Sequence, residues 1–237
     1  MTASESPLPD EDGNPASAFA WPDSAAARRQ WLAHGHVAAI LDRRALPALP
    51  PALPEEQRDA CSSADPAGFL CRRQALRALA GAVLGRPPES LRITRSESGA
   101  PLLAGAGITV SLSGRPPLCA VMIGGGPAGI DIEEIIDAGA IPWNMLRAAE
   151  RQRLESLPET VRGEAFSRLW SAKEAYAKAL GQGFQLPPES LLIEPGGKAR
   201  FCPAGGMSDL PDGTVRLARL EPGQGKAVII ALALLST

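Results

Sequence analysis

The sequence predicts an α+β protein made of two similar halves, each with a small, mostly antiparallel sheet and packed helices. In each half, a stretch with apolar residues at helical spacing is followed by short segments typical of strands. Between the halves lies a run of glycines closed by a proline, residues 124–127, which is typical of a connection. We therefore divide the chain into residues 1–20, 21–125 and 126–237.

The N-terminal half follows an acidic segment rich in proline and serine, residues 1–20, which we expect to stay disordered. Helices are predicted over residues 22–34 and Asp65–Leu84. Asp65 or Ser63 can cap the second helix, and Pro66 suits its first turn. Strands are predicted at His36–Leu41, Leu91–Arg95, Ile108–Leu112 and Leu118–Ile123, with a proline-rich loop over Leu46–Pro54.

The C-terminal half begins with a predicted strand, Ala128–Ile135. Helices are predicted over Trp143–Leu157 and Glu159–Leu180, and Gly181-Gln182-Gly183 ends the second one. Shorter strands are predicted near Ser190–Ile193, Ala199–Cys202, Thr214–Leu220 and Lys226–Leu235. Two such halves packed together would leave a cleft at their junction, a common place for a ligand.

The composition argues against several classes of function. The net charge is −2 and aromatic residues make up 4% of the chain, so nothing indicates nucleic acid binding. With two histidines and four cysteines that form no CxxC pair, we expect free thiols rather than a zinc site. The longest apolar run, Ala227–Leu235, is too short to cross a bilayer, and residues 1–20 lack the features of a signal peptide. We therefore expect a cytoplasmic protein that binds no membrane.

The first candidate site residues lie on the strand that opens the C-terminal half. In Gly129-Ile-Asp-Ile-Glu133, alternation along the strand directs Ile130 and Ile132 to one face and Asp131 and Glu133 to the other. Neighbouring carboxylates repel each other unless a cation lies between them, and hard oxygen ligands suit Mg²⁺. Taken alone, the pattern is equally typical of a strand with a solvated acidic face.

The second candidate residues lie on the long helix that follows. Trp170, Glu174 and Lys178 are spaced by four and share one stripe, although a surface Glu–Lys pair beside a core Trp has the same spacing. The chain has twenty arginines and four lysines, and two of the lysines, Lys173 and Lys178, lie in this segment. Unlike arginine, lysine can release its proton. Three carboxylates and two lysines together indicate metal-assisted phosphoryl transfer or hydrolysis.

The two segments occur together in one known family. Gly129-Ile-Asp-Ile-Glu133, followed about 40 residues later by Trp170-x-x-Lys-Glu-Ala-x-x-Lys178, resembles the paired signature of the 4′-phosphopantetheinyl transferases of the surfactin-synthetase-activating type. Weaker similarity extends from about His36 to Ile230. The resemblance implies two α+β halves related by a pseudo-twofold axis, with coenzyme A between them. Because such a pseudo-dimer already closes the cleft, we expect a monomer.

The resemblance also implies a reaction and the residues that perform it. A serine of an acyl, polyketide or peptidyl carrier protein would attack the β-phosphate of coenzyme A, with Mg²⁺ as cofactor and 3′,5′-ADP as the leaving group. Residues matching Asp131, Glu133 and Glu174 hold the metal in that family, and Glu174 is also a candidate base for the serine. Lys178 would protonate or neutralise the leaving group, and Lys173 would contact phosphate.

Three departures from the family pattern concern the groups that hold the 3′-phosphate of coenzyme A. Leu112 stands where a histidine is usual, Ala100 replaces a lysine, and basic residues before the first helical Phe are replaced by Gly68 and Cys61-Ser62-Ser63. Because a guanidinium binds phosphate well, arginines are the candidates to replace these groups. The candidate residues for coenzyme A binding, besides Lys173, are Arg72, Arg73, Arg77, Arg115, Ser111 and Ser113.

Other functions stay open on the sequence alone. A transferase could have a relaxed need for the 3′-phosphate of coenzyme A. A catalytically silent relative could bind carrier proteins without modifying them. A Mg²⁺-dependent hydrolase of a pyrophosphate compound would use the same carboxylates, although no histidine that could activate water is apparent in the sequence.

Overall fold

The computed structural model describes residues 20–182, 185–194, 197–202, 210–222 and 225–236. The predicted disordered tail therefore lies outside the described residues except for its last position. The helices are α1 (Ser24–His34), α2 (Pro54–Ala60), α3 (Pro66–Leu84), α4 (Ala148–Glu155) and α5 (Glu159–Ala179). The strands are β1 (His36–Asp42), β2 (Ile93–Arg95), β3 (Pro101–Leu103), β4 (Thr109–Arg115), β5 (Leu118–Gly124), β6 (Ala128–Glu134), β7 (Leu191–Ile193), β8 (Lys198–Phe201), β9 (Gly213–Leu220) and β10 (Val228–Leu235).

The helices agree with the predicted ones except at the start of α4, and α2 was not predicted. The predicted helix from Trp143 begins only at Ala148, after a single 3₁₀ turn at Trp143–Met145. The reason is the Glu150 side chain, which accepts a hydrogen bond from the backbone N–H of Arg147 at 3.0 Å and thereby fixes the first turn. None of the helices in the described ranges combines the length and the apolar character needed to cross a membrane.

The strands form antiparallel sheets, as predicted. The first sheet has the order β1-β5-β4, the second has the order β6-β10-β9-β8-β7, and β2 and β3 form a separate hairpin. Every strand pairing recorded between described residues is antiparallel. The α+β fold class is thus confirmed, whereas the pseudo-twofold axis stays a prediction.

The two sheets pack face to face and share a core. On the inner face of the first sheet, Ala38, Ala120 and Met122 contact the inner face of the second sheet. Ile130 and Ile230 are among the residues that meet them. Alternate residues of β5 face α1 and α3, and alternate residues of β10 face α5. The molecule therefore has four layers, with helices outside and two sheets inside.

At one edge, the two sheets are joined by hydrogen bonds from backbone N–H groups of β6 to serine hydroxyls of β4. The Ser111 hydroxyl on β4 accepts a hydrogen bond from the backbone N–H of Ile130 at 3.0 Å, and that of Ser113 accepts one from Ile132 at 3.3 Å. We refer to this junction of β4 and β6 as the β4–β6 seam. The seam places Ser113 next to Asp131, which occupies the position between the two isoleucines.

A glycine permits α5 to lie directly on β6. A Cβ atom at Gly129 would be 2.0 Å from the carbonyl oxygen of Ala175, far below any contact distance. Gly163 permits a similar close approach earlier in the helix, to the segment after β6, where a Cβ atom would be 1.9 Å from the carbonyl oxygen of Ile136. The first residue of the acidic motif therefore sets the spacing between the strand that carries the carboxylates and the helix that carries Glu174 and Lys178.

Candidate active site

Asp131 is the centre of the site, where β6, α5 and the seam meet. Its buried carboxylate accepts hydrogen bonds from the Ser113 hydroxyl at 2.8 Å, the Ser171 hydroxyl at 3.0 Å and the Lys178 ammonium at 2.6 Å. Lys178 also donates to Ser113 and to the carbonyl oxygen of Ile130. The acidic strand and the stripe of α5 thus converge, because β6 and α5 pack against each other.

Glu133 lies two residues further along β6 and is paired with Arg115. The guanidinium donates two hydrogen bonds, one to each carboxylate oxygen, at 2.8 and 2.5 Å. Burial raises the pKa of Glu133 above its ordinary value, and the contact with Arg115 opposes this shift. Arg115 is the last residue of β4, and its side chain is 47% exposed, so this ion pair lies at the rim of the site.

Glu174 supplies a third carboxyl group, which is only 8% exposed. Burial raises its pKa to about 7, the nearby Lys178 lowers it, and the charges of Asp131 and Glu133 raise it further. A carboxyl group that titrates near neutral pH can accept a proton from a substrate hydroxyl. These interactions also show that the three predicted metal ligands lie within electrostatic range of one another.

The residue types of this cluster fit a magnesium ion. Three carboxylates are hard oxygen donors, the kind that Mg²⁺ prefers. As placed, however, Asp131 faces Lys178, and both oxygens of Glu133 face Arg115. Accordingly, no group of three or more His, Cys, Asp or Glu side chains in the described ranges is arranged to hold a metal ion. The donor set is thus suitable, whereas the side-chain positions are those of ion pairs.

Lys173 and Trp170, both predicted from the helix motif, lie apart from the cluster. Lys173 is 1% exposed, and its ammonium donates to Glu150 at 2.7 Å and to the carbonyl oxygen of Pro188 at 2.9 Å. The reason is helix geometry, since adjacent residues point about 100° apart and Lys173 therefore faces α4. The structure gives no support to a phosphate contact at Lys173. Trp170 stacks on Phe166 in an apolar cluster.

The candidate residues for coenzyme A binding are placed at different depths. Ser113 and Arg115 are part of the cluster, whereas Ser111 is buried in the seam. Arg72 on α3 lies against β4, with its Nη1 atom 2.5 Å from where a Cβ atom of Gly114 would be. Arg73 is buried, with its guanidinium 5.0 Å from the centre of the Phe69 ring.

The candidate Arg77 is wrong, because its side chain is fully used inside the protein. It is 0% exposed, bonds Glu56 at 2.8 Å and donates to the carbonyl oxygen of Pro51 at 2.6 Å. The apolar stripe of α3 did not reveal this role, since an arginine among leucines and alanines is also compatible with a solvated helix face.

Sequence reasoning missed Ser171, which donates to Asp131, and Arg43, which pairs with Asp65 at 2.8 Å. Ser171 precedes Glu174 by three residues and therefore shares its helix face, a signal that was present in the sequence. Arg43 follows directly after β1 and has no such signal. Its charge and that of Arg72 both act on the Cys119 thiol, so the two guanidinium groups lie near each other.

Comparison with known proteins gives a consistent result. Residues 127–221 match the model of the 4′-phosphopantetheinyl transferase superfamily. The chain is 32% identical over 124 residues to the 4′-phosphopantetheinyl transferase HetI of Nostoc sp., which covers 48% of this chain and 52% of that relative. It is also 32% identical over 114 residues to the 4′-phosphopantetheinyl transferase gsp of Aneurinibacillus migulanus, which covers 47% of each. The chain thus spans about half the length of these curated relatives.

Proposed function

We propose that this chain modifies carrier proteins, because residues 127–221 match the model of the 4′-phosphopantetheinyl transferase superfamily. In the proposed reaction, the 4′-phosphopantetheine group of coenzyme A is transferred to a serine of an apo acyl, polyketide or peptidyl carrier protein. The products are the holo carrier and 3′,5′-ADP, and the reaction requires Mg²⁺. The observation that carries the proposal is the convergence of Asp131, Glu174 and Lys178 at the packing contact of β6 and α5.

The proposed mechanism assigns a role to each group of the cluster. Asp131, Glu133 and Glu174 would hold the Mg²⁺ ion, which when bound neutralises charge on the diphosphate. Glu174 is the candidate base for the carrier serine, because its buried carboxyl group lies beside Lys178 and the other two carboxylates. The serine oxygen then forms a bond to the β-phosphorus as the bond from that phosphorus to the bridging oxygen breaks. Lys178 protonates the leaving phosphate of 3′,5′-ADP or, while it keeps its proton, neutralises the negative charge there.

For the 3′-phosphate of coenzyme A, Arg72 and Arg115 are the favoured ligands. Arg115 is at the exposed end of β4, and Arg72 contacts the adjacent Gly114. A guanidinium can bind two phosphate oxygens at once. Comparing coenzyme A with dephospho-coenzyme A tests this assignment. Equal KM values for the two compounds would instead favour a transferase that does not need the 3′-phosphate.

The transfer itself is tested by mass spectrometry. Incubation with a panel of apo carrier proteins, coenzyme A and Mg²⁺ should add the mass of one phosphopantetheine to at least one carrier, and chelation should abolish the gain. Asp131→Ala and Glu174→Gln should abolish transfer while the variants remain folded by circular dichroism. If no carrier of the panel gains mass although calorimetry shows carrier binding, the chain is a silent relative and the proposal is wrong.

Lys178→Ala tests whether Lys178 acts on the leaving group. Turnover should fall by about 100-fold, because proton donation in the transition state is lost, while the affinity for coenzyme A should fall less. Single-turnover kinetics and calorimetry measure the two quantities separately. The matched control is Lys198→Ala, which removes a half-exposed lysine from a long surface contact with Asp212 and should leave both unchanged. An equal loss of both quantities would show that Lys178 contributes only to binding.

A further inference from the structure

Arg115 bonds fewer groups of the cluster than Lys178, the other cation, and is more exposed to solvent. Within the described part of the chain, the hydrogen bonds of Arg115 go to Glu133 alone. Lys178 instead bonds Asp131, Ser113 and a backbone carbonyl, and its side chain is 21% exposed against 47% for Arg115. Of the two cations, Arg115 is therefore the one that can leave its carboxylate by rotating into solvent.

Any divalent cation that uses Glu133 must compete with Arg115. The guanidinium engages both oxygens of that carboxylate, so a cation gains a ligand at Glu133 only when Arg115 releases one of them. Release costs little if the guanidinium finds another anion, and a phosphate group of coenzyme A presents several oxygens that match its planar fork. The Arg115 side chain is about half exposed, so its release does not require it to leave a buried position.

We propose that Arg115 is exchanged between Glu133 and the phosphate groups of the co-substrate, and thereby couples cation binding to co-substrate binding. This inference rests on the proposed function, because it takes Glu133 as a cation ligand and a phosphate group of coenzyme A as the anion. With Arg115 on Glu133, the cation site is blocked until an anion arrives. With Arg115 on the phosphate, Glu133 is open and the guanidinium adds to the binding of the co-substrate. Each ligand therefore increases the affinity for the other.

The experiment measures Mn²⁺ binding, as a probe for Mg²⁺, from the electron paramagnetic resonance signal of the free ion. Arg115→Gln should increase the Mn²⁺ affinity without coenzyme A by about five-fold, because the competing cation is gone. Coenzyme A should raise the Mn²⁺ affinity of the unchanged protein. In Arg115→Gln this gain should be smaller by a similar factor. Arg115→Lys, which keeps the charge but loses the two-oxygen contact, should give intermediate values.

Two further variants separate direct competition from a general effect of charge. In a Glu133→Gln background, Arg115→Gln should no longer change the Mn²⁺ affinity, whereas a long-range effect of charge would persist. Arg151→Gln removes an equal charge from the surface pair with Glu155 on α4 and should have no effect.

The possible failures have different meanings. Unchanged or weaker Mn²⁺ binding in Arg115→Gln overturns the exchange and leaves the transferase proposal intact. An effect of the same size in Arg151→Gln also overturns the exchange. If the unchanged protein binds no Mn²⁺ with or without coenzyme A, the metal assignment of the proposed function is wrong, and the exchange is wrong with it.

Discussion

Glu174 combines burial with a position between two other carboxylates. A carboxylate in such surroundings is disfavoured in its charged form, so its ionisation weakens the fold unless a cation compensates. Burial is the largest cause of its raised pKa, and Lys178 offsets it only in part. The property that suits Glu174 for proton transfer is therefore one that costs stability at neutral pH.

This cost predicts a dependence of stability on pH. Between pH 4.5 and about 7, the folded chain keeps the Glu174 proton while the unfolded chain releases it, so the free energy of unfolding falls as pH rises. The loss should reach on the order of 3 kcal/mol. In a chelating buffer, Glu174→Gln should therefore gain stability relative to the unchanged protein as pH is raised from 4.5 to 7.5. Thermal unfolding measures the difference, and a constant difference across this range would contradict it.

The proximity of two residues could be predicted from sequence where two motifs constrained them together. Asp131 and Lys178 are 2.6 Å apart, as expected from motifs that come from different elements. Lys173 and Arg77 instead form buried ion pairs, since a sequence does not state which flank of a helix a neighbouring helix or loop will cover. Their partners, Glu150 and Glu56, are more than 20 residues away in sequence, so these ion pairs can be identified only when the packing is known.

At the scale of elements, the close contact of β6 and α5 determines the geometry of the site. Backbone approaches backbone where Gly129 faces Ala175, and Ala172 and Ala175 continue the row of small buried residues on the helix. A larger side chain at this contact would move α5 outwards and separate Asp131 from Lys178. The position of Gly129 in the acidic motif thus requires a glycine on steric grounds, independently of any role in the reaction.

Gly129→Ala should consequently damage both the fold and the site. The methyl group would be 2.0 Å from the oxygen of Ala175, so we expect a loss of about 3 kcal/mol in stability and a large loss of transfer activity. Gly139→Ala is the matched control, because a Cβ atom there meets nothing within 4 Å. Urea unfolding of the two variants measures the effect. Equal stability of both would show that β6 and α5 can separate without cost.

The elements themselves were largely predictable, and their arrangement was not. Helical spacing and caps identified α1, α3 and α5 to within a few residues. The short strand β3 and the helix α2 escaped notice because each has fewer than eight residues and little periodicity. Strand order, with β6 and β10 adjacent although far apart in sequence, depends on long-range pairing that local patterns do not encode.

At the scale of the whole molecule, the two halves are joined by a common apolar layer. The layer contains Ala120 and Met122 from one half and Ile130, Ile132 and Ile230 from the other, and all of them are essentially inaccessible to solvent. Neither half therefore buries the inner face of its own sheet without the other. A hydroxyl-to-carbonyl hydrogen bond of 2.7 Å from Ser98 to Gly181 adds a polar link between the hairpin and the end of α5.

A common layer predicts that the halves unfold together. Ile130→Ala should cost about 2–5 kcal/mol and shift the unfolding of both halves equally, because a cavity in the shared layer weakens each. The fluorescence of Trp31 in the first half and Trp170 in the second, each observed after the other tryptophans are replaced by Phe, reports the two transitions. Separate midpoints in urea would mean that the halves are independent folding units.

The glycines and the proline of residues 124–127 predict a connection, and β5 and β6 lie on either side of it. That the inner faces of β5 and β10 would cover each other was not visible, since both strands are buried on both sides and show no alternation. A fully apolar strand does not reveal which of its neighbours is a helix and which is a second sheet.

The connection at Gly124–Pro127 has a practical consequence for dissection of the molecule. Gly125 is exposed, and a Cβ atom there has no neighbour closer than 3.5 Å, so a cut in the backbone at this point would disturb little besides the hydrogen bond from its N–H to the carbonyl oxygen of Gly35. Each resulting fragment would expose the apolar inner face of its sheet to water. It should therefore precipitate when produced without the other. Produced in one cell, they should assemble as an obligate heterodimer, with one fragment supplying Arg115 and the other Glu133.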